Sequence, residues 1–87
     1  MPWIARIKNP IFPLETWMGF IGPFDSSEAG VEWIELQGFK KIDVKEQPYW
    51  TIERDVYFEF DWESFTIKRP LIFFEQLEPP SALKKIS

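Results

Sequence analysis

Among the side chains able to do chemistry, carboxylates set two residues apart stand out. The run Asp55-Val56-Tyr57-Phe58-Glu59-Phe60-Asp61-Trp62-Glu63 alternates strictly, with Asp55, Tyr57, Glu59, Asp61 and Glu63 on one side. Neighbouring acids on one strand face stand about 6.6 to 6.8 Å apart. Such a pair can do acid–base work when an apolar pocket raises one pKa. Asp61 and Glu63 also offer the oxygen ligands that Mg²⁺ or Ca²⁺ prefers. Neither chemistry has its supporting parts: there is no EF-hand spacing and no Gly-rich cradle. The chain has no histidine, which removes the commonest general base and metal ligand together. Ser26, Ser27 and Ser64 therefore have no imidazole to activate them, and Lys40 or Lys41 is a poor substitute. The Gly22-Pro23-Phe24 turn is not a phosphate loop. The acidic run reads as a contact face, with no catalytic residue, metal or cofactor.

The element that must hold these acids is a strand. A period of two marks one dry face, here Val56, Phe58, Phe60 and Trp62, and one wet face. After Trp62 the apolar phase changes to Phe65 and Ile67, which predicts a tight turn at Glu63-Ser64 and an antiparallel return over 64 to 69. Strands are also expected at 3–8, at 17–22, at 39–44, at 49–53 (running on into 55–62 or parting from it at Glu53-Arg54) and at 71–77. The 17–22 segment is apolar on both faces, which suggests a central position. Its Gly19 and Gly22 mark a bulge or a close approach. Phe12 and Leu14 are expected to tuck under a loop over 9–16.

A second carboxylate set belongs to the one predicted helix, from about 26 to 37. Asp25 or Ser26 caps it, Glu28 stands where a capping box with Asp25 places it, and Gly38 stops it. Glu28, Glu32 and Glu35 form a narrow acidic stripe. Gly30 lies opposite, and its return for a mid-helix glycine is close packing on a sheet aromatic. The expected fold is α+β, an antiparallel sheet of about five to six strands with one helix packed on one face, in the order β-β-α-β-β-β-β. Residues 1–78 form one domain; 79–87 form a flexible tail that frays or makes one helical turn.

At 87 residues the core is thin, and five Trp, nine Phe and two Tyr compensate with bulk. No cysteine is present, so neither disulfide nor thiolate site is available. No apolar run approaches the roughly 18 residues of a membrane helix. Nor does the N-terminal Met1-Pro2-Trp3-Ile4-Ala5-Arg6 resemble a signal peptide. The expectation is a cytoplasmic protein with no membrane partner.

The net charge of −4 is blocked by sign. Residues 9 to 39 contain no Lys or Arg, and residues 46 to 67 hold six acids against Arg54 alone. Direct nucleic-acid binding is not expected, because the most aromatic strand is also the most acidic and phosphates would avoid it. The Lys40, Lys41 and Lys45 cluster is too small to offset this. The acids could instead imitate phosphates and be steered to the basic site of a DNA- or RNA-handling protein. They act together only if the helix stripe and the strand face share a side. With one helix, the second sheet face stays uncovered, which suggests a homodimer that closes it.

The run Phe20-Ile21-Gly22-Pro23-Phe24-Asp25-Ser26-Ser27-Glu28-Ala29, with Trp33 and Gly38-Phe39, resembles a known strand–helix junction. It is similar to the Gly-Pro-Phe turn of the peptidoglycan-binding SPOR domain, which implies glycan binding by aromatic stacking in an exported protein. SPOR domains normally duplicate the β-α unit, whereas this chain has one helix. It also resembles a loose class of small phage and bacterial proteins that share the turn and a Leu-Glu-Pro-Pro, here Leu77 to Pro80. That class implies no defined chemistry. Small acidic chains of this kind resemble phage-encoded inhibitors of host defence nucleases, anti-CRISPR proteins included.

The leading reading is a non-enzymatic interaction module, an inhibitor or adaptor that binds a larger protein with a basic surface in the host cytoplasm. Its contacts are Asp55, Tyr57, Glu59, Asp61, Glu63, Glu28, Glu32 and Glu35. The alternatives are a self-associating structural phage component using an aromatic sheet face, and a SPOR-like glycan binder.

Overall fold

The computed structural model describes residues 2–11, 16–76 and 85–86. Strands β1 (Trp3–Asn9) and β2 (Thr16–Phe24) lead into helix α1 (Ser27–Leu36). Then follow β3 (Lys40–Ile42), β4 (Tyr49–Thr51), β5 (Asp55–Glu59), β6 (Ser64–Lys68), β7 (Leu71–Gln76) and β8 (Lys85–Ile86). The α+β class is as the sequence indicates. The strands, however, divide into two antiparallel sheets: a five-stranded one in the order β2-β1-β7-β4-β3 and a three-stranded one in the order β6-β5-β8. Every strand pair is antiparallel.

The division falls at two crossings. Glu53-Arg54 parts β4 from β5, and Arg69-Pro70 parts β6 from β7. Arg69 has a φ of 51°, a left-handed conformation uncommon for a side chain of its size. Its N–H donates to the Arg54 carbonyl at 3.1 Å, so one crossing is tied to the other. The Thr51 hydroxyl donates to the Pro70 carbonyl at 2.9 Å beside them. Proline has no N–H for a ladder, and Pro70 sits where the chain changes sheets.

The helix and the small sheet cover the same face of the large sheet. Ile34 of α1, Val56, Phe58 and Ile67 of the small sheet, and Phe60 just past β5 share one buried cluster with Ala5, Ile7, Trp50 and Ile72 of the large one. Phe58 is fully buried; a side chain of this class contributes roughly 1.5 to 3 kcal/mol by its burial.

Local chemistry fixes the helix. Ser26 is the N-cap: its hydroxyl accepts the Ala29 N–H at 3.1 Å. The residue three after the cap is Ala29, so the expected Asp25–Glu28 box does not form; Glu28 instead accepts from the Ser27 hydroxyl at 3.2 Å. At the other end Gly38 turns left-handed with φ 103°. Its N–H bonds to the Glu35 carbonyl at 3.0 Å, and the Phe39 N–H to that of Ile34 at 3.4 Å, a Schellman stop sealed by buried Phe39 and Ile34. Gly30 performs the expected close packing. A Cβ there would lie 2.6 Å from Phe74 Cε1 and 3.0 Å from Phe24 Cδ2.

Several expectations are corrected. β2 is an edge strand, not a central one. It is apolar on both sides because Ile21 enters the core while Trp17 and Phe20 pair with Lys8 and Arg6 on the opposite face. Register shifts in the β1–β2 pair accompany the glycines, and the Phe60 ring comes within 3.0 Å of where a Gly19 Cβ would be. β3 is shorter than the 39–44 span because Phe39 is drawn into the core. Lys85–Ile86 is a strand paired with β5, not a helical turn. The expectations for Phe12, Leu14 and Leu77 to Pro80 lie outside the described residues.

Candidate functional site

The acidic strand ends earlier than its alternation suggests. β5 stops at Glu59, and Asp61-Trp62 form a turn that returns the chain to β6. The Phe60 N–H donates to the Glu63 carbonyl at 2.8 Å and closes it. Val56, Phe58 and Phe60 are buried as expected, but Trp62 is not: 53% of it is exposed. One ring face leans on Phe60, with centroids 5.0 Å apart and planes inclined by 22°. The turn reverses the chain one residue after Phe60, so Trp62 never reaches the dry side of the sheet. Asp61 and Glu63, both exposed, flank the indole.

Behind this tip, Asp55, Tyr57 and Glu59 occupy the outward face of the small sheet. The Tyr57 hydroxyl donates to Glu59 Oε1 at 3.1 Å. The register places Lys68 opposite Asp55 and Ser64 opposite Glu59. The charge there is thus less one-sided than the bare strand suggests. Glu59 is half-buried and Asp61 exposed, so no apolar pocket encloses the pair. Among the described residues no three carboxylates gather as a metal site. No helix among them is long and apolar enough to cross a membrane.

On the helix, Glu28, Glu32 and Glu35 are exposed. Glu35 leans toward the large sheet, where its Oε2 accepts the Trp50 indole N–H at 3.0 Å. A shallow groove between helix and sheet is lined by Glu28, Val31, Glu35, Lys41 and Trp50 among others. Because α1 and the small sheet cover one face of the large sheet, their outward faces belong to one layer. The helix stripe itself is turned toward the β4–β3 edge of the large sheet, where Glu28, Glu32 and Glu35 line the groove with Lys41 and Trp50.

The far side of the large sheet has a different character. Trp17, Tyr49 and Phe73 form a ring ladder: Trp17 and Phe73 meet edge to face at 5.5 Å, Tyr49 and Phe73 at 5.6 Å. The Arg6 guanidinium lies 3.9 Å from the Trp17 ring centroid and pairs with Glu75 at 2.7 Å. Lys8 Nζ is 5.4 Å from the Trp17 centroid. Trp17 is 44% exposed. This aromatic and cationic face was not legible as such, because its members come from four strands distant in sequence. The premise that set nucleic acid aside, aromatics and acids on one strand, does not describe it: Phe58 of β5 and Phe60 beyond it are core, and these rings lie on another sheet.

Comparison of the chain with protein-family models, curated proteins and solved structures returned no match. What defines this protein is its two-layer α+β architecture, a five-stranded sheet covered on one face by the helix and the small sheet.

Proposed function

We propose that the chain is a non-enzymatic interaction module, an inhibitor or adaptor, that docks its acidic layer on a basic-rimmed apolar site of a larger protein. The observation that carries this reading is Trp62. A domain that buries Phe58 and Phe60 leaves the Trp62 indole outside, braced on one ring face and flanked by two carboxylates. Tryptophan is enriched among residues that dominate binding energy, and a polar rim of acids adds steering and register. Asp55, Tyr57 and Glu59 behind the tip and Glu28, Glu32 and Glu35 on the helix supply further polar contacts. A protein whose basic groove ordinarily holds nucleic-acid phosphates suits such a surface.

The test is affinity capture from host extract with the full chain as bait. Trp62→Ala should weaken capture of the principal partner about 30-fold, the size expected of a hot spot. Asp55→Lys with Glu63→Lys should weaken it too and remove its salt dependence. Both variants should keep the wild-type circular dichroism spectrum and melting temperature, since all three residues are exposed. Undiminished capture by both would remove the reading.

A further inference from the structure

A sheet edge offers unpaired N–H and C=O groups, and folded proteins blunt such edges with bulges, proline, lysine or short strands. Among the described residues the edge strands are β2, β3, β6 and β8. β2 carries Gly19, Gly22 and Pro23, and its pairing with β1 shifts register. β3 is three residues long with Lys40 beside Lys41, and β8 is two residues long. β6 differs. It runs Ser64-Phe65-Thr66-Ile67-Lys68 with no glycine, no proline and an unbroken register, and no described strand pairs with its outer side.

The bonds at its two ends set the phase of that edge. The Phe60 N–H donates to the Glu63 carbonyl at 2.8 Å, and the Arg69 N–H donates to the Arg54 carbonyl at 3.1 Å. Bonded and non-bonded pairs alternate along an antiparallel ladder. Phe65 and Ile67 therefore bond inward to Phe58 and Val56, while Ser64, Thr66 and Lys68 send their N–H and C=O groups to the free edge.

We infer that β6 pairs with β6 of a second copy of this chain, antiparallel about a two-fold axis at Thr66, so that the two small sheets join into one. Core-facing and outward-facing side chains must stay on their own sides, which forbids registers slipped by one residue. Of the registers left, the one centred on Thr66 uses all five residues. Thr66 then exchanges two backbone bonds with Thr66 of the second copy, and Ser64 exchanges two with Lys68 of the second copy at each end. No like charges meet within the ladder, because each Lys68 faces a serine. On the core side, half-buried Phe65 gains Ile67 of the second copy as a cross-strand neighbour. One residue beyond the ladder, Glu63 stands level with Arg69 of the second copy. Both side chains are exposed, and neither is ion-paired among the described residues. The edge is thus complementary to itself, and a two-fold contact closes at the dimer. A five-residue ladder is a small interface, so the dimer is weak and depends on concentration. Nothing in this contact requires Trp62 to bind a partner.

Sedimentation velocity and amide hydrogen exchange by NMR, both on the full chain over a wide concentration range, test this. The mass should rise from monomer to dimer and no further. The amides of Ser64, Thr66 and Lys68 should exchange fast in dilute solution and gain protection as the dimer forms, whereas those of Phe65 and Ile67 should be protected throughout. Thr66→Pro removes an N–H that the β5–β6 ladder does not use, so it should keep the circular dichroism spectrum and abolish the dimer. Arg69→Glu sets Glu63 against a glutamate at both ends and should weaken the dimer several-fold; adding Glu63→Arg should restore it. A chain that is monomeric at every concentration overturns the inference. So does a dimer that leaves the three amides unprotected, or one that Thr66→Pro and Arg69→Glu both leave intact. Full protection of those amides already in dilute solution means that the chain covers its own edge, and overturns it too. If Thr66→Pro does not fold, the wild-type exchange pattern and the charge swap decide. Capture through Trp62 stands or falls separately, since Thr66→Pro leaves that indole in place.

Discussion

The two faces of the large sheet use the same residue types for opposite ends. On the covered face, Phe74 meets Trp50 edge to face at 5.0 Å, Phe24 leans on Trp33, and Phe58 and Phe60 close over Ile7 and Ile72. Among the described residues no polar or charged side chain is buried there. On the other face, Trp17, Phe73 and Tyr49 keep company with Arg6, Lys8 and Glu75, and the guanidinium and ammonium groups stand against the rings beside Ile4 and Leu71. The lesson is that aromatic content alone says little about a small domain. What separates core from contact surface is whether a second layer arrives to dry the rings, and here helix and small sheet both settle on one side.

The comparison breaks most sharply if the covered face tolerates truncation. Phe58→Ala should lower stability by about 3 to 5 kcal/mol in chemical denaturation, since the ring is fully buried between both layers. Gly30→Leu adds bulk where a Cβ already meets Phe74 at 2.6 Å, and a loss of about 1 to 3 kcal/mol or more is expected from overpacking. An unchanged melting temperature for Gly30→Leu would show that the helix does not sit on Phe74 and Phe24. At the small end, Trp17→Ala on the open face should change stability by less than about 1 kcal/mol despite removing the larger ring, because 44% of it is exposed and its strand is an edge. A Trp17 effect as large as that of Phe58 would mean that the open face is part of the core.

Much of the covered side was legible from local chemistry. The period of two in 55–60, the Ser26 cap, the Gly38 stop and the Gly30 contact all express rules that act within a few residues. The phase slip near Glu63 marked the hairpin, and it was also the available signal that Trp62 would fall outside the strand: a turn that changes the phase of Phe65 displaces its own residues from the alternating face. What the chain did not disclose is long-range. Nothing local says that β5 belongs to another sheet than β4, or that β2 lies at an edge, because both depend on which strands pair across the whole sequence. The open face is invisible for the same reason, as Arg6, Trp17, Tyr49 and Phe73 become neighbours only after β7 enters between β1 and β4.

That placement of β7 has a temporal consequence. The strand that joins the two halves of the large sheet is synthesised after both of them, and the Arg6–Glu75 pair links residues 69 positions apart. Until β7 emerges, the β1–β2 hairpin and the β3–β4 hairpin have no shared ladder, and the rings that will form the core remain wet. Folding therefore waits on a long loop closure, and belongs with the slower small domains, whose rates are set by non-local pairing rather than by helix formation.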